Sequence, residues 1–575
     1  MWLYVVACYL FAVVSSTVSE QPESRIVRLD SGPVRGYKDP NEDIFAYYGI
    51  PYAKAPSGPD RFKAPLPSPK WVEPLEAVDT GIVCPQFDHF YLIQNKRNMQ
   101  EDCLIANIYA PNTKKTNLSV IVYVHGGAFI TGFGDLVTPK KIVSSKEIIV
   151  VNFNYRLGAH GFLCLGTRDI PGNAAMKDQI ALLRWVKKNI ANFGGNPDDV
   201  TIAGYSAGSV SVDLLMLSKS AKGLFKKVIP ESGANLSPFS IQIDPIKNAK
   251  EYGKLLKFDV DDLHALEFFY KSAPYELLQS GNVTFQADSN IFTTPCVERD
   301  HGVERFLEDS PFDILNSGNF DKLPVLYGFA NMEGTIHIRI FDQMKDLMNK
   351  NFAEYMSLQI LDLQFKNDEE KFTVAEQIKK FYFKDEPIDE KNILAYVDFI
   401  SDILFGCPTL RSVNLQLKAG NNNIYLYEYS FVDDNTPLVP HTEVRGAGHL
   451  VPHTNALLDG VNMISSLDEK NISDDLRIMK HIMRDLWGNF IITGKPESSE
   501  VPAWPPVTAD GSPHMALKKN PELRGPLSEK RCLFWNEIFD KYYRSPLPPP
   551  PPPTIPVRKV NNDDNIFQFF YIKLE

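Results

Sequence analysis

The sequence predicts an α/β fold, in which helices flank a central, mostly parallel β-sheet, because strand and helix patterns alternate along the chain. Two nearly continuous apolar runs, Ser119–Gly127 and Glu147–Arg156, are typical of strands buried on both faces of a parallel sheet. Between residues 174 and 192 apolar side chains recur every three or four positions, which indicates an amphipathic helix.

Later segments continue the alternation. Apolar runs at 200–204, 323–330 and 423–431 predict further strands, and the charged region 340–400 predicts helices. We find no internal repeat and no linker before about residue 545, so residues 20–545 are expected to form one large domain.

Composition limits the classes of partner. The chain has 575 residues, of which 44% are hydrophobic and 23% charged, as in a globular protein with a large core. Its formal net charge of -11, with no basic run, argues against nucleic acid as a partner. The sequence has no zinc-binding spacing, and we expect no bound metal. The sequence says nothing about the oligomeric state.

The first residues predict secretion. An apolar stretch followed by small and polar residues is typical of a signal peptide, here residues 1–19, with an N-terminal membrane anchor as the alternative. No later stretch reaches the roughly 18 apolar residues that span a bilayer. We therefore expect an extracellular protein without a membrane span.

Glycosylation sequons agree with an extracellular location. Asn117, Asn282 and Asn471 are the candidate sites, whereas the sequon at Asn235 is closely followed by Pro238 and is the least suitable. The C-terminal tail, residues 546–575, begins with a run of prolines that must adopt polyproline II structure. We interpret this run as a stiff spacer, with a ligand for a proline-binding module as the alternative.

The stretch "TIAGYSAGSVSVDLLMLS" contains the strongest chemical signal. It places Ser206 between Gly204 and Gly208, where a predicted strand becomes a predicted helix. This strand–G-x-S-x-G–helix pattern holds a serine on a sharp, strained turn, and the helix that follows points its N-terminus at the site. A serine needs a base to become a nucleophile, so the pattern predicts acyl-transfer chemistry if a histidine lies close by.

A second motif, "HGGAF" at 125–129, directly follows the first apolar strand. Paired glycines let the backbone approach a substrate, so that N–H groups can face a developing oxyanion. The backbone N–H groups of Gly126, Gly127 and Ala207 are therefore the predicted oxyanion donors. Two such motifs in this order favour an enzyme over a chance glycine-bounded turn.

The chain resembles the type-B carboxylesterases, the family that includes the cholinesterases, over about residues 20–544. The resemblance is carried by the stretches "FAYYGIPYAKAP", "EDCLIANIYAP", "HGGAF", "NYRLGAHGFL", "GNAAMKDQIALLRWVKKNIANFGGNPDDVTIAGYSAG", "ESGA" and "CLFWNEIF". It implies the α/β-hydrolase fold and a serine carboxylesterase that needs no cofactor. Among its members the chain looks most similar to secreted insect carboxylesterases, including antennal, odorant-degrading enzymes.

The resemblance also implies the partners of Ser206. The family acid lies in a segment like "LYGFANMEGT", which makes it Glu333, and the family histidine in a segment like "GAGH", which makes it His449. From the residues alone, His441 and His453 compete with His449, and Glu333 could be an ordinary loop carboxylate. The order serine, acid, histidine is that of α/β-hydrolases.

Disulfides are implied in the same way. The family pattern pairs Cys84 with Cys103 and Cys407 with Cys532, and a further pair usual in relatives is absent near residues 250–270. We therefore expect the two remaining cysteines of the mature chain, Cys164 and Cys296, to be free and buried, with mutual pairing as the alternative. Arg156 and Glu101 resemble a structural ion pair of the family.

The substrate follows less directly. Cholinesterases carry a tryptophan between the first paired cysteines that binds the quaternary ammonium, and the stretch between Cys84 and Cys103 has none. Tyr205 precedes the nucleophile, where juvenile-hormone esterases usually have glutamine. The expected substrate is a small, uncharged and fairly hydrophobic ester, such as an odorant, pheromone or xenobiotic ester. The alternative is a catalytically silent or sequestering relative that binds ligands or mediates adhesion.

Overall fold

The computed structural model describes residues 22–87, 97–279, 292–355, 363–449 and 472–551. The predicted signal peptide, the sequons at Asn282 and Asn471, and the competing histidine His453 lie outside these residues.

A single 13-stranded sheet forms the centre of the fold. Its strands in chain order are β1 (Ser24–Arg28), β2 (Pro33–Lys38), β3 (Ile44–Pro51), β4 (Leu75–Glu76), β5 (Ile105–Pro111), β6 (Leu118–Val124), β7 (Ile149–Phe153), β8 (Gly195–Tyr205), β9 (Lys227–Glu231), β10 (Val325–Ala330), β11 (Ile424–Tyr429), β12 (His514–Leu517) and β13 (Glu522–Arg524). They are arranged in the order β1-β2-β3-β5-β7-β6-β8-β9-β10-β11-β12-β13, with β4 beside β2.

The middle of the sheet is parallel, as the continuous apolar runs predicted. Every pairing from β7 through β12 in that order is parallel, and the strands at both ends are antiparallel. Val122 of β6 lies opposite Val151 of β7 and Ile202 of β8. The predicted α/β class with a central, mostly parallel sheet is therefore confirmed, and strands β6 and β7 are shorter than the apolar runs that predicted them.

The two faces of the sheet support separate apolar layers. Val120, Val122 and Val124 of β6 pack into one cluster, whereas Ile121 and Tyr123 pack into the other. This alternation follows from the two-residue period of a strand. All five side chains are nearly inaccessible to solvent, so both layers exclude water from the sheet.

Helices cover both faces of the sheet. They are α1 (Lys140–Lys146), α2 (Gly158–Phe162), α3 (Ala174–Asn189), α4 (Ala207–Leu217), α5 (Pro245–Leu255), α6 (Leu263–Ser272), α7 (Pro311–Ser317), α8 (Phe341–Lys350), α9 (Phe352–Tyr355), α10 (Asp368–Phe383), α11 (Ile393–Ser401), α12 (Cys407–Lys418), α13 (Asp474–Thr493) and α14 (Glu529–Tyr542). Helices α8, α10 and α11 confirm the helices predicted for 340–400.

One continuous helical stretch, Glu390–Lys418, has the length and mean hydropathy of a membrane-crossing helix. It comprises a 3₁₀ turn, α11, a π-helical turn at Asp402–Gly406, and α12. Of its most apolar 18-residue window, 72% is buried inside the protein. Its side chains Phe399 and Cys407 belong to the main hydrophobic cluster, as in the core helix of a globular fold.

Three disulfides join the described residues. Cys84–Cys103 and Cys407–Cys532 are bonded as the family resemblance implied. The expectation that Cys164 and Cys296 are free is wrong, because these two cysteines are also joined. The side chain of Asn173 holds the main chain of Cys296, because it donates to its carbonyl at 2.7 Å and accepts from its N–H at 2.9 Å. Both sulfur atoms lie against the neighbouring Gly172, where an added Cβ would come 2.5 Å from that of Cys296 and 2.7 Å from that of Cys164.

The expected ion pair between Arg156 and Glu101 is also wrong. The guanidinium of Arg156 makes a two-pronged contact with the buried carboxylate of Asp178, at 2.8 and 2.6 Å. Glu101 instead pairs with Arg61, 2.8 Å away. Arg156 also donates to the carbonyl oxygens of Arg61 and Lys63, so the two pairs form one buried network rather than one bridge.

The start of the proline-rich tail lies on the domain surface. Pro546 and Pro549 are buried, whereas Pro548 and Pro550 are exposed. This period of three is that of a polyproline II helix with one face against the protein. Arg544, just before the tail, makes a double ion pair with Asp244 at 2.9 Å. The first residues of the tail are therefore held to the domain instead of leading away from it.

Candidate active site

Ser206 occupies the turn between β8 and α4. Its backbone has φ 58° and ψ -122°, a conformation that non-glycine residues rarely adopt. The flanking glycines are needed for close packing: a Cβ on Gly204 would lie 2.2 Å from the carbonyl oxygen of Gly208, and one on Gly208 would lie 2.1 Å from that of Val124. The N–H of Ser206 donates to the carbonyl of Glu231 at 2.9 Å, which holds the turn against β9.

The structure brings Ser206, His449 and Glu333 into one hydrogen-bonded chain. Nε2 of His449 lies 3.0 Å from Oγ of Ser206, and Nδ1 lies 2.5 Å from Oε2 of Glu333. His449 is 2% exposed and Glu333 is fully buried, whereas Ser206 is partly accessible. This geometry permits a proton to pass from the serine to the imidazole while the carboxylate holds the ring.

Glu333 is held by two further donors. Its Oε1 accepts from the hydroxyl of Ser232 at 2.6 Å and from the backbone N–H of Ala330 at 2.7 Å. Hydrogen bonds to a carboxylate favour its charged form, and they leave Oε2 to face the histidine. Sequence analysis missed Ser232, although the "ESGA" stretch that contains it was one of the matching segments.

The predicted oxyanion donors lie around Ser206. A Cβ on Gly126 would lie 2.6 Å from the carbonyl oxygen of Tyr205 and 3.0 Å from Cβ of Ser206, so the loop backbone lies directly against the elbow. Gly127 has φ 109°, which glycine adopts without strain. Ala207 is the first residue of α4, where N–H groups have no partner within the helix. Within the described ranges, no hydrogen-bond acceptor faces the N–H groups of these three residues.

Two neutral imidazoles lie near the chain of three residues. Burial lowers the pKa of His125 to about 4, and its ring stacks on Tyr155 at 4.3 Å. Burial, together with the nearby His449, lowers the pKa of His337 to about 4. Both rings are therefore uncharged at neutral pH, and neither places a cation at the site.

A buried carboxyl next to the site is protonated near neutral pH. Burial, together with the charge of Glu333 and against the opposing effect of the hydrogen bond from Tyr427, raises the pKa of Glu231 to about 8. The hydroxyl of Tyr427 donates to its Oε1 at 2.7 Å. One carboxylate, Glu333, therefore carries the negative charge beside the histidine.

Aromatic side chains surround His449. The ring centroids of Tyr205 and Phe405 lie 5.0 and 4.5 Å from that of His449, and Phe239 lies 5.7 Å from Phe405. The competing residue His441 is exposed, and it has no ring contact with another described residue. Within the part of the chain that the structure describes, no group of three metal-binding side chains is found.

Comparisons with known proteins agree with this geometry. Residues 23–535 match the sequence model of the carboxylesterase family. A carboxylic ester hydrolase of Bombus ignitus is 32% identical over 560 residues, which cover 94% of this chain and 98% of the relative. The juvenile hormone esterase of Heliothis virescens is 31% identical, with 84% of this chain and 88% of the relative covered. The crystal structure of juvenile hormone esterase from Manduca sexta has a TM-score of 0.80 at 30% identity, covering 90% of this chain and 100% of that one.

Proposed function

The chain belongs to the carboxylesterase family and is a carboxylic ester hydrolase, and on that premise we propose that Ser206, His449 and Glu333 are its nucleophile, general base and orienting acid. The pair of contacts at His449, 3.0 Å to Ser206 and 2.5 Å to Glu333, carries this assignment. Both ring nitrogens are engaged, which sets one tautomer for accepting the serine proton at Nε2.

In the first step, Oγ of Ser206 attacks the ester carbonyl while Nε2 of His449 accepts its proton. Glu333 stabilises the imidazolium that forms. The negative oxygen is stabilised by the N–H groups of Gly126, Gly127 and Ala207, at the positive end of α4. The protonated His449 then donates to the leaving alcohol, and the acyl group remains on the serine.

In the second step, a water takes the place of the alcohol. His449 accepts a proton from this water as it attacks the acyl carbonyl, and the same N–H groups hold the second oxyanion. The bond to Ser206 breaks, the acid leaves, and the serine regains its proton. The reaction requires no metal or cofactor.

The substrate we propose is an uncharged, fairly hydrophobic ester, such as an odorant, pheromone or xenobiotic ester. Tyr205, Phe239 and Phe405 supply aromatic surface close to the reacting groups. The neutral His337 adds no charge that would attract an ionic substrate. A hydrophobic acyl or alcohol group would gain binding free energy by leaving water for such surroundings.

The alternative is a catalytically silent or sequestering relative that binds a ligand or mediates adhesion. Such a protein has no need for a serine on a strained turn beside a base and a buried acid. Maintaining that turn costs about 1–3 kcal/mol, which is typical of functional sites. The hydrolase assignment is therefore favoured.

Hydrolysis of a series of p-nitrophenyl esters, from acetate to octanoate, tests the proposal. We expect multiple turnovers by the intact protein and their loss in Ser206→Ala. A matched control is Ser218→Ala, which removes a buried hydroxyl at the other end of α4, where it donates to the carbonyl of Phe306. The preferred acyl chain length then measures the size of the acyl pocket. Juvenile hormone is a further substrate to include, because two similar proteins are named juvenile hormone esterases.

Each other outcome has a separate meaning. Release of one equivalent of p-nitrophenol would identify a sequestering esterase. No release, with no labelling of Ser206 by a fluorophosphonate, would contradict the serine mechanism and favour the ligand-binding alternative.

We also propose that the protein is secreted and glycosylated at Asn117. Three disulfides suit an oxidising compartment, and Asn117 is exposed in the turn before β6. Asn235 is fully buried and is not expected to carry a glycan. Expression in insect cells, followed by enzymatic deglycosylation and mass spectrometry of the medium, tests both statements. An unglycosylated Asn117 in secreted protein would contradict the second.

A further inference from the structure

Tyr205 connects the nucleophile turn to the loop that carries the general base. It directly precedes Ser206, and its hydroxyl donates to the backbone carbonyl of His449, 244 residues away in the sequence. The two rings also pack, with centroids 5.0 Å apart and an interplanar angle of 36°. One side chain therefore contacts both the main chain and the imidazole of the base.

The other hydrogen bonds of this loop lead elsewhere. The carbonyl of Ala447 accepts from the N–H of Met332 at 2.9 Å, and the N–H of Ala447 donates to Oδ1 of Asn331 at 2.9 Å. Both partners immediately precede Glu333. These contacts therefore fix the distance between the base and the acid, but not the distance between the base and the nucleophile.

Contacts between this loop and the nucleophile turn are few. Across the ranges that the structure describes, they include the contact of Tyr205 with His449, through its hydroxyl and its ring, and the contact between His449 and Ser206 itself. The second contact must change during the reaction, because the histidine serves first the serine and then the water. Glu333 holds the imidazole on the side of the acid, and the Tyr205 hydrogen bond ties the main chain of the base to the nucleophile turn in both steps.

We propose that Tyr205 is a positioning residue that holds His449 at the correct distance from Ser206. This inference rests on the proposed function, because it assumes that these two residues exchange a proton. A tyrosine suits the role: its ring is rigid, and its length spans the gap from the end of β8 to the histidine loop. Phe405 also packs on the imidazole, so loss of the Tyr205 hydroxyl alone would leave ring packing in place.

The surroundings keep the Tyr205 hydroxyl in its donor form. The side chain is 7% exposed. Burial holds its pKa well above the usual value, and the carboxyl groups of Glu333 and Glu231 raise the pKa further. The O–H therefore remains a donor to the His449 carbonyl over the pH range in which the enzyme works.

Tyr205→Phe removes this donor and keeps the ring. We expect kcat for p-nitrophenyl esters to fall about 10- to 100-fold, because misplacement of a catalytic group by a fraction of an ångström has effects of this size. KM should remain within about twofold, since no substrate contact is removed. The rate of Ser206 labelling by a fluorophosphonate should fall by the same factor, because labelling needs the same base. Tyr205→Leu, which also removes the ring, should lose more.

Tyr252→Phe is the matched control. Tyr252 is also buried, at 1% exposure, and its hydroxyl donates to the backbone carbonyl of Leu278 at 2.5 Å. It belongs to α5, in a cluster separate from the site. Tyr252→Phe removes the same type of hydrogen bond as Tyr205→Phe, so the two variants should have a similarly lowered Tm. In Tyr252→Phe, kcat and the labelling rate should remain those of the unmodified protein.

Other outcomes would overturn the inference. One is a Tyr205→Phe protein with unchanged kcat and labelling rate, or with a changed KM alone. Another is an equal fall of kcat in Tyr205→Phe and in Tyr252→Phe. Failure of both Tyr205 variants to fold would assign the residue to the fold rather than to the histidine. If the unmodified protein neither turns over nor is labelled, the proposed function fails and this inference fails with it.

Discussion

The hydroxyl of Ser232 donates to Oε1 of Glu333 at 2.6 Å, and the backbone of Ser232 itself has φ 58°. Ser232 directly follows β9, and its N–H donates to the carbonyl of Gly328 in β10. The neighbouring strand thus fixes one oxygen of the carboxylate and leaves the other for His449. The orientation of the acid is set by the sheet as well as by its own loop.

Ser232→Ala should lower kcat about tenfold. A hydrogen bond to a charged group contributes about 1.5–3 kcal/mol, and part of that stabilisation remains because Ala330 still donates to Glu333. Steady-state kinetics with a p-nitrophenyl ester would measure the change. The control is Ser240→Ala, which also removes a buried hydroxyl, but one that donates to the backbone carbonyl of Asn235. Equal kinetics in the two variants would contradict the prediction.

Gly126→Ala should lower kcat about 100- to 1000-fold, the typical effect of losing an oxyanion donor. The added Cβ would lie 2.6 Å from the carbonyl oxygen of Tyr205, so the loop must move away from Ser206. Gly525→Ala adds the same atom where nothing lies within 4 Å and should have no effect on kcat. Retained activity in Gly126→Ala would show that the loop at 125–129 does not stabilise the oxyanion.

Stability should depend on pH through Glu231. Its folded pKa, about 8, lies above the value of about 4.5 for an exposed glutamate, so between these pH values the folded state binds more protons than the unfolded state. Stability from this group is complete below pH 4.5 and is lost as pH rises to about 8. In Glu231→Gln the free energy of unfolding should not fall in this way with rising pH, because glutamine does not titrate.

Urea unfolding of both proteins between pH 5 and 9 would measure the effect. The difference in unfolding free energy should grow by a few kcal/mol in favour of Glu231→Gln, because each unit of pKa shift corresponds to about 1.4 kcal/mol. Parallel pH curves for the two proteins would show that Glu231 does not titrate in this window.

The Cys164–Cys296 disulfide closes a loop with a sequence separation of 132 residues. Its replacement by two alanines should lower the free energy of unfolding by about 2–5 kcal/mol. Peptide mapping without reductant should recover the linked pair, and alkylation of either cysteine in the folded, unreduced protein would count against the bond.

The proline tail should contribute to stability through one face. Replacing Pro546 and Pro549 with serine should lower the free energy of unfolding by about 1–2 kcal/mol, because the apolar surface of both buried rings is lost. Pro549 lies against Gly166, where an added Cβ would come 2.6 Å from the proline Cβ. The same change at the exposed Pro548 and Pro550 should have no measurable effect in urea unfolding. An equal loss of unfolding free energy in the two double variants would show that the buried face of the tail contributes no more to stability than the exposed face.

Local patterns in the sequence predicted most of the sheet and the nucleophile turn. Continuous apolar runs predicted β6 and β7, and two glycines around Ser206 predicted a strained turn, because backbone sterics act over a few residues. The choice of Glu333 and His449 needed the family resemblance, since no local rule distinguishes His449 from His441.

The tertiary structure decided the contacts between distant segments. The Cys164–Cys296 bond joins residues 132 positions apart, next to Gly172, and Asn173 holds the main chain of Cys296 there. The bond from Tyr205 to His449 joins residues that are 244 positions apart in the sequence. The sequence by itself determined which segments become strands, helices and sharp turns, because those preferences are local. Which side chains meet depends on how the sheet orders its strands, and that order minimises the free energy of the whole chain rather than of any one segment.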